Sequence, residues 1–209
     1  PVAIDTRRVL QAALARLAGR GLALRCGLEV EFHIYRLLDA RLDPAQADWP
    51  GPAPEVEMIH PGYHLLADDW MDRAEEPLLI VQRTAQALGL PLTSLEIELG
   101  PSQVEAVFAA QDALAAADAM VLFRHATRQA LRRAGYHATF MCRPPFDNIM
   151  SSGWHLHQSL VDATTGANLL RRATPAPGST PADAQHTLSA LGEHYLAGLL
   201  DHARGMAVF

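Results

Sequence analysis

The sequence predicts an α+β fold, an antiparallel β-sheet flanked by helices. Three observations predict it: segments of period two lie between amphipathic segments of period 3.6, the later strands return through a short hairpin, and the helices run too long to be mere connectors. Thr6 to Leu17 reads as the first helix, capped by Asp5 or Thr6, with Val9, Leu10, Ala13, Leu14 and Leu17 as its stripe and Gly19 and Gly21 as its stop. From Leu24 to Leu37 the period falls to two. Leu28, Val30, Phe32 and Ile34 take one face, and Glu29, Glu31, His33 and Tyr35 the other. Asp43 to Pro54 is rich in proline and reads as a loop.

A second helix is expected from Pro77 to Leu88, with the proline in its first turn and Gly89 ending it. Leu95 to Leu99 reads as a short strand broken by Gly100-Pro101. The longest helix is expected from Gln111 to Ala134, with Ala113, Ala116, Met120, Phe123, Thr127, Ala130 and Ala134 as its stripe and Arg132 and Arg133 suiting its C-terminal dipole. Strands at His137 to Cys142 and Trp154 to Val161 follow, the latter entering a hairpin at Asp162 to Asn168. A loop at Thr174 to Pro181 leads to a last helix from Asp183 to Arg204.

Composition excludes several function classes. Of 209 residues, 49% are hydrophobic and the formal charge is −6, which argues against a nucleic-acid or anionic-membrane surface. All 17 basic residues are arginine, so lysine nucleophiles, Schiff bases and phosphate-loop lysines are excluded within the chain. No apolar run approaches the roughly 20 residues that span a bilayer, and no signal peptide is visible; the expected location is cytoplasmic. Cys26 and Cys142 make no disulfide framework and are both expected as buried free thiols.

The chemistry-bearing pattern is a repeated spacing. Glu29/Glu31, Glu96/Glu98 and His155/His157 are i, i+2 pairs on strand-like segments, which places each pair on one sheet face about 6.6 Å apart. Such carboxylate pairs either line a solvated face or surround something cationic, because repulsion and desolvation otherwise oppose them. Oxygen-rich ligation with an imidazole or two suits Mg²⁺ or Mn²⁺ better than zinc, and the spacing allows two ions. His60, His64, His125, His186, His194 and His202 are scattered and read as structural or exposed.

Four ordered blocks carry a resemblance: Gly27-Leu28-Glu29-Val30-Glu31-Phe32; Glu98-Leu99-Gly100-Pro101-Ser102-Gln103-Val104-Glu105; Ala138-Thr139-Phe140-Met141 with Arg143-Pro144; and Ser152-Gly153-Trp154-His155-Leu156-His157-Gln158-Ser159-Leu160. With them the chain resembles the catalytic domain of the glutamine synthetase family across its whole length. The resemblance implies a glutamine synthetase/guanido kinase-like catalytic fold. It also implies ATP-dependent joining of ammonia, or in some branches a small amine, to the γ-carboxyl of L-glutamate through γ-glutamyl phosphate. It further implies two or more Mg²⁺ or Mn²⁺ ions, ATP as substrate, and a homo-oligomer with active sites between subunits.

Carried over by motif, Glu31, Glu98 and Glu105 would hold one ion, and Glu29 and His155 another. His157 and Ser159 match nucleotide-contacting positions, while Ser151 and Gly153 match the segment that meets glutamate. Glu96 receives no role. Residues 1–209 are expected to form a partial catalytic domain, without the family's N-terminal β-grasp domain or the C-terminal part that carries nucleotide- and glutamate-binding arginines, and so to be inactive alone. Three departures bear on the acceptor: Met150-Ser151 replaces the usual Asn-Gly, Ile97-Glu98 the usual His-Glu, and Arg143-Pro144 the usual Lys-Pro.

Overall fold

The computed structural model describes residues 2, 4–39, 43–172 and 187–207. In chain order its elements are α1 (Thr6–Ala18), β1 (Leu22–Leu37), β2 (Val56–Met58), α2 (Asp68–Ala87), β3 (Leu92–Ile97), β4 (Gln103–Asp112), α3 (Ala113–Arg133), β5 (Tyr136–Thr139), β6 (Trp154–Asp162) and α4 (Ala190–Met206), with a 3-10 turn at Pro44–Gln46. The chain divides into two units: one of Gly27–Gln111 and Ala115–His157, the other of Pro1–Cys26, Asp112–Leu114 and Gln158–Phe209.

The larger unit is built on the sheet. Its order is β2-β1-β4-β3, with β5 and β6 also pairing with β1. β1 pairs antiparallel with β2 and β5, and β3 pairs antiparallel with β4. Val30, Phe32 and Ile34 of β1 are fully buried, together with Ile97, Val104 and Ala106 of the β3–β4 pair and Ala74, Val81, Phe123 and Leu131 of the two helices. The apolar half of the β1 alternation therefore faces the core, which leaves Glu29 and Glu31 on the opposite face. Further along that polar face His33 and Tyr35 are also buried, so β1 ends covered on both sides.

Several elements differ from expectation. α2 begins at Asp68, so Pro77 lies inside the helix rather than in its first turn. Asp68 and Asp69 favour the helix start, and burial of Ala74, Pro77 and Leu78 offsets the hydrogen bond that the proline cannot make. β3 starts earlier and stops at Ile97, so Glu98 lies beyond the strand and Glu96/Glu98 is not a same-face strand pair. β2 and β4 had no counterpart in the sequence reading. β5 stops at Thr139, which leaves Cys142 exposed, while Cys26 is buried as expected. In the α3 stripe Ala134 is exposed and Leu131 takes the core position.

In the smaller unit α1 is capped as expected, Asp5 Oδ1 accepting from the Arg8 amide at 3.3 Å. The hairpin closes through Asp162 Oδ1, which accepts from the amides of Thr164 and Thr165 at 3.0 and 2.8 Å; Val161 then bridges Asn168. α4 starts at Ala190, later than expected, because Thr187–Ser189 runs extended against Leu170–Arg172. Ser189 caps it, its Oγ accepting from the Gly192 amide at 3.0 Å. The expected loop at 174–181, the expected helix start at 183 and His186 lie outside the described residues.

Candidate metal and substrate site

The site of the larger unit grows from three stretches of chain. The alternation of β1 puts Glu29 and Glu31 on the face away from the core, and the start of β6 brings His155 and His157 against them. His155 Nδ1 donates to Glu29 Oε2 at 3.1 Å, and His157 Nε2 lies 3.1 Å from Glu29 Oε1. Glu31 Oε1 is 3.9 Å from His155 Nε2. The β3–β4 hairpin supplies the rest: Glu105 of β4 has its Oε1 3.9 Å from His155 Nδ1, and Glu98, from the turn, lies near enough to Glu105 to push its carboxyl up. All five residues carried over as metal ligands are thus brought to one place. Ligand atoms of Glu29, Glu105 and His155 lie within 4.8 Å of one another.

The electrostatics are those of crowded carboxylates. Burial, then Glu98, then the charges of Glu29 and Glu31 push the Glu105 carboxyl up to about 7. The His155 hydrogen bond holds Glu29 below its ordinary value, and Glu29 in turn raises His155. Glu105 Oε1 is buried with no hydrogen-bond partner among the described residues. A buried carboxylate oxygen without a donor, ringed by three other carboxylates, is a costly arrangement unless a cation completes it. An oxygen-rich donor set with one imidazole fits a hard divalent ion. Glu96 stands opposite Glu105 in register but is occupied locally, its Oε1 accepting from Ser94 Oγ at 2.8 Å.

The segment before β6 completes the site. The Gly153 amide donates to Glu31 Oε2 at 2.7 Å, and a Cβ at 153 would come within 3.0 Å of His155 Nε2, so only glycine fits without displacing that imidazole. Ser151 Oγ accepts from Arg143 Nη1 at 3.2 Å. Ser159 belongs to the other unit, where its Oγ accepts from Asn168 Nδ2 at 3.3 Å.

Sequence reasoning gave no role to the buried polar layer beneath the site. Ser102, at φ 59°, turns the chain so that its Oγ accepts from the Ile59 amide at 2.9 Å and its carbonyl from the Ile34 amide at 2.9 Å. Ser152 Oγ lies 3.3 Å from His33 Nδ1. His60 Nε2 donates to the Gln103 carbonyl at 3.1 Å, while its Nδ1 is buried without a partner among the described residues. Burial holds His60 below the ordinary histidine value, and drives His33 down to about 4. An imidazole with a depressed native pKa stays neutral in the fold but binds a proton when unfolded, so its contribution is present above the unfolded value and lost as pH falls below it. Glu105, raised to about 7, takes up a proton in the fold over the same range and pulls the other way, so the test is a difference: between pH 5 and about 6.5 the slope of the urea midpoint against pH is expected to be less positive in His60→Gln than in the wild type. An unchanged slope in the variant would show that His60 does not carry it.

Comparison with known proteins agrees with this geometry. Residues 3–209 match the family described as "Glutamine synthetase, catalytic domain". The chain is 35% identical over its full length to a γ-glutamylanilide synthase of an Acinetobacter species, covering 41% of that protein. It is 30% identical over 99% of its length to a glutamine synthetase of Thermococcus kodakarensis, covering 40%. A crystal structure of a glutamine synthase homologue superposes with a TM-score of 0.72 at 28% identity, over 97% of this chain and 40% of that one. The chain thus spans about two fifths of the length of the relatives it matches. With the match running nearly end to end, the chain belongs to the glutamine synthetase family, within its catalytic domain.

Proposed function

We propose that the chain supplies the metal-binding part of an ATP-dependent ligase that joins ammonia or a small amine to the γ-carboxyl of L-glutamate through γ-glutamyl phosphate. One observation carries the reading: four carboxylates and an imidazole converge, with a buried Glu105 oxygen that has no donor among the described residues. Glu31, Glu98 and Glu105 would hold one Mg²⁺ or Mn²⁺, and Glu29 and His155 another. When bound, such ions neutralise polyphosphate and carboxylate so that the two can meet. The chain's own residues set the geometry. Gly153 keeps room beside His155 and ties down Glu31, Arg143 orients the Ser151 hydroxyl beside the glutamate segment, and His157 and Ser159 are the nucleotide contacts. In this reading residues 1–209 are a partial catalytic domain, and the complete enzyme is a homo-oligomer. Among the described residues no helix is long and apolar enough to cross a membrane.

The acceptor is the open chemical choice. Met150-Ser151 in place of Asn-Gly, and similarity to a γ-glutamylanilide synthase, favour an amine larger than ammonia. The test is coupled ATP turnover by the full-length protein with glutamate and Mn²⁺ or Mg²⁺, comparing ammonia, methylamine, ethylamine, putrescine and aniline. The expected result is glutamate-dependent turnover with an organic amine preferred. Preference for ammonia would make Met150-Ser151 a tolerated substitution, and absence of turnover with every acceptor would overturn the ligase reading.

A further inference from the structure

Gln103 is the first residue of β4, 2% exposed, and its side chain makes more polar contacts than any ligand of the cluster. Its Oε1 accepts from the Gly100 amide at 2.9 Å. Its Nε2 lies 3.0 Å from Glu31 Oε2, 3.1 Å from the Ser151 carbonyl and 3.1 Å from Ser152 Oγ. The Gly100 donor fixes which end of the amide is oxygen, because the flipped amide would set acceptor against acceptor at Glu31 and Ser151 and donor against donor at Gly100. The cradle is tight: a Cβ at Gly100 would fall 2.5 Å from Gln103 Oε1 and 2.8 Å from Met150 Cβ.

The consequence falls on Glu31. Its Oε2 takes two donors, Gln103 Nε2 and the Gly153 amide at 2.7 Å, while its Oε1 points toward the cluster, 3.9 Å from His155 Nε2. A carboxylate with one oxygen tied to two N–H groups has lost its rotational freedom and presents the other oxygen alone. Leucine or methionine at 103 would fill similar space but leave Glu31 held by Gly153 only, and would release the 151–152 segment. We infer that Gln103 is a positioning residue: through one buried amide it aims a single Glu31 oxygen at the cation and locks the 151–153 segment in the same act. The inference rests on the reading of Glu31 as a cation ligand.

The test uses Mn²⁺ itself. Free Mn²⁺ is titrated by its EPR signal against the purified wild type, Gln103→Met and Glu105→Gln, at a temperature well below each variant's unfolding transition. Wild type is expected to bind, Glu105→Gln to lose most of that binding, and Gln103→Met to bind about tenfold more weakly, as loss of an outer hydrogen bond to a ligand usually costs. A purely structural Gln103 would lower the unfolding temperature of Gln103→Met and leave the affinity of the folded protein at the wild-type value, which would overturn the inference. If Gln103→Met does not fold, Gln103→Asn serves. It keeps an amide but is one methylene too short to reach Gly100 and Glu31 together, and the same weakening is expected of it, with wild-type affinity overturning the inference again. Wild-type protein that binds no Mn²⁺ would remove the cation reading and this inference together, whereas wild-type binding lost in Glu105→Gln but intact in the Gln103 variants would remove this inference alone.

Discussion

Glu105→Gln is expected to stabilise the metal-free protein and to remove most of its stabilisation by Mn²⁺. The two effects have one cause. Glu105 is 7% exposed, its Oε1 has no hydrogen-bond partner among the described residues, and Glu98, Glu29 and Glu31 surround it. Without a cation, burial and like charges oppose its ionisation and hold its carboxyl at about 7. A glutamine of the same shape removes the charge and adds N–H donors toward the neighbouring carboxylates, for an expected gain of about 1 kcal/mol, the lower part of the range because the cluster is open to solvent on the His155 side. With Mn²⁺ at about a hundred times its dissociation constant, the wild type gains about 2.7 kcal/mol by mass action and the variant loses most of that gain. Urea midpoints measured with EDTA and with Mn²⁺ give both numbers. Glu96→Gln is the control: Glu96 sits opposite Glu105 but is bonded to Ser94, so its midpoints should shift by less than about 0.5 kcal/mol and keep the Mn²⁺ response. A Glu105 variant that is less stable without metal, or equally stabilised by Mn²⁺, would contradict this account of the cluster.

How much of this was legible in the sequence depends on the range of the interaction. The β1 carboxylates and the β6 histidines were legible because alternation is local: Glu29/Glu31 and His155/His157 each occupy one face of a strand that the period reveals. Glu98 was named by its spacing from Glu96 as well as by resemblance to the family, whereas Glu105 was reached only by the resemblance. Glu98 lies past the end of β3, where period two no longer applies. Glu105 stands on a strand, β4, whose Val104, Ala106 and Phe108 alternation runs directly into the alanine-rich start of α3 and so conceals its boundary. The Glu96/Glu98 pair had the right spacing for the wrong reason. Gln103 was hidden for a different cause. Its partners Glu31 and Ser151 are 72 and 48 positions away in the chain, and nothing in local periodicity distinguishes an amide that spans such distances from one in a turn. Pro77 shows the opposite error: a local rule against interior proline was overridden by burial of the helix around it.

The fold that presents these ligands rests on an aromatic cluster, and Phe123→Ala is expected to be the most damaging single change to stability. Phe123 is fully buried on α3. Its ring meets Phe108 of β4 edge-on at 4.9 Å, Phe32 of β1 at 5.9 Å and Phe140, just after β5, at 6.1 Å. Phe32 stacks on Phe140 at 4.8 Å, and Phe140 meets Trp154 of β6 at 6.2 Å. Phe32 follows Glu31, so the two faces of β1 carry the core and the candidate ligands, and Trp154, which precedes His155, extends the ring contacts to the start of β6. Truncation at 123 opens a cavity beneath this face and costs about 3–5 kcal/mol, against a total that is commonly 5–15 kcal/mol. Phe123→Leu keeps most of the volume and is expected to cost much less, about 1–1.5 kcal/mol. Urea unfolding of both variants, followed by tryptophan fluorescence, separates packing from mere hydrophobicity. If alanine and leucine cost the same, or alanine costs under about 1 kcal/mol, the cluster does not anchor the helix to the sheet. In that case the constancy of the ligand geometry must come from the hydrogen-bonded layer of Ser102, Gln103 and Ser152 instead.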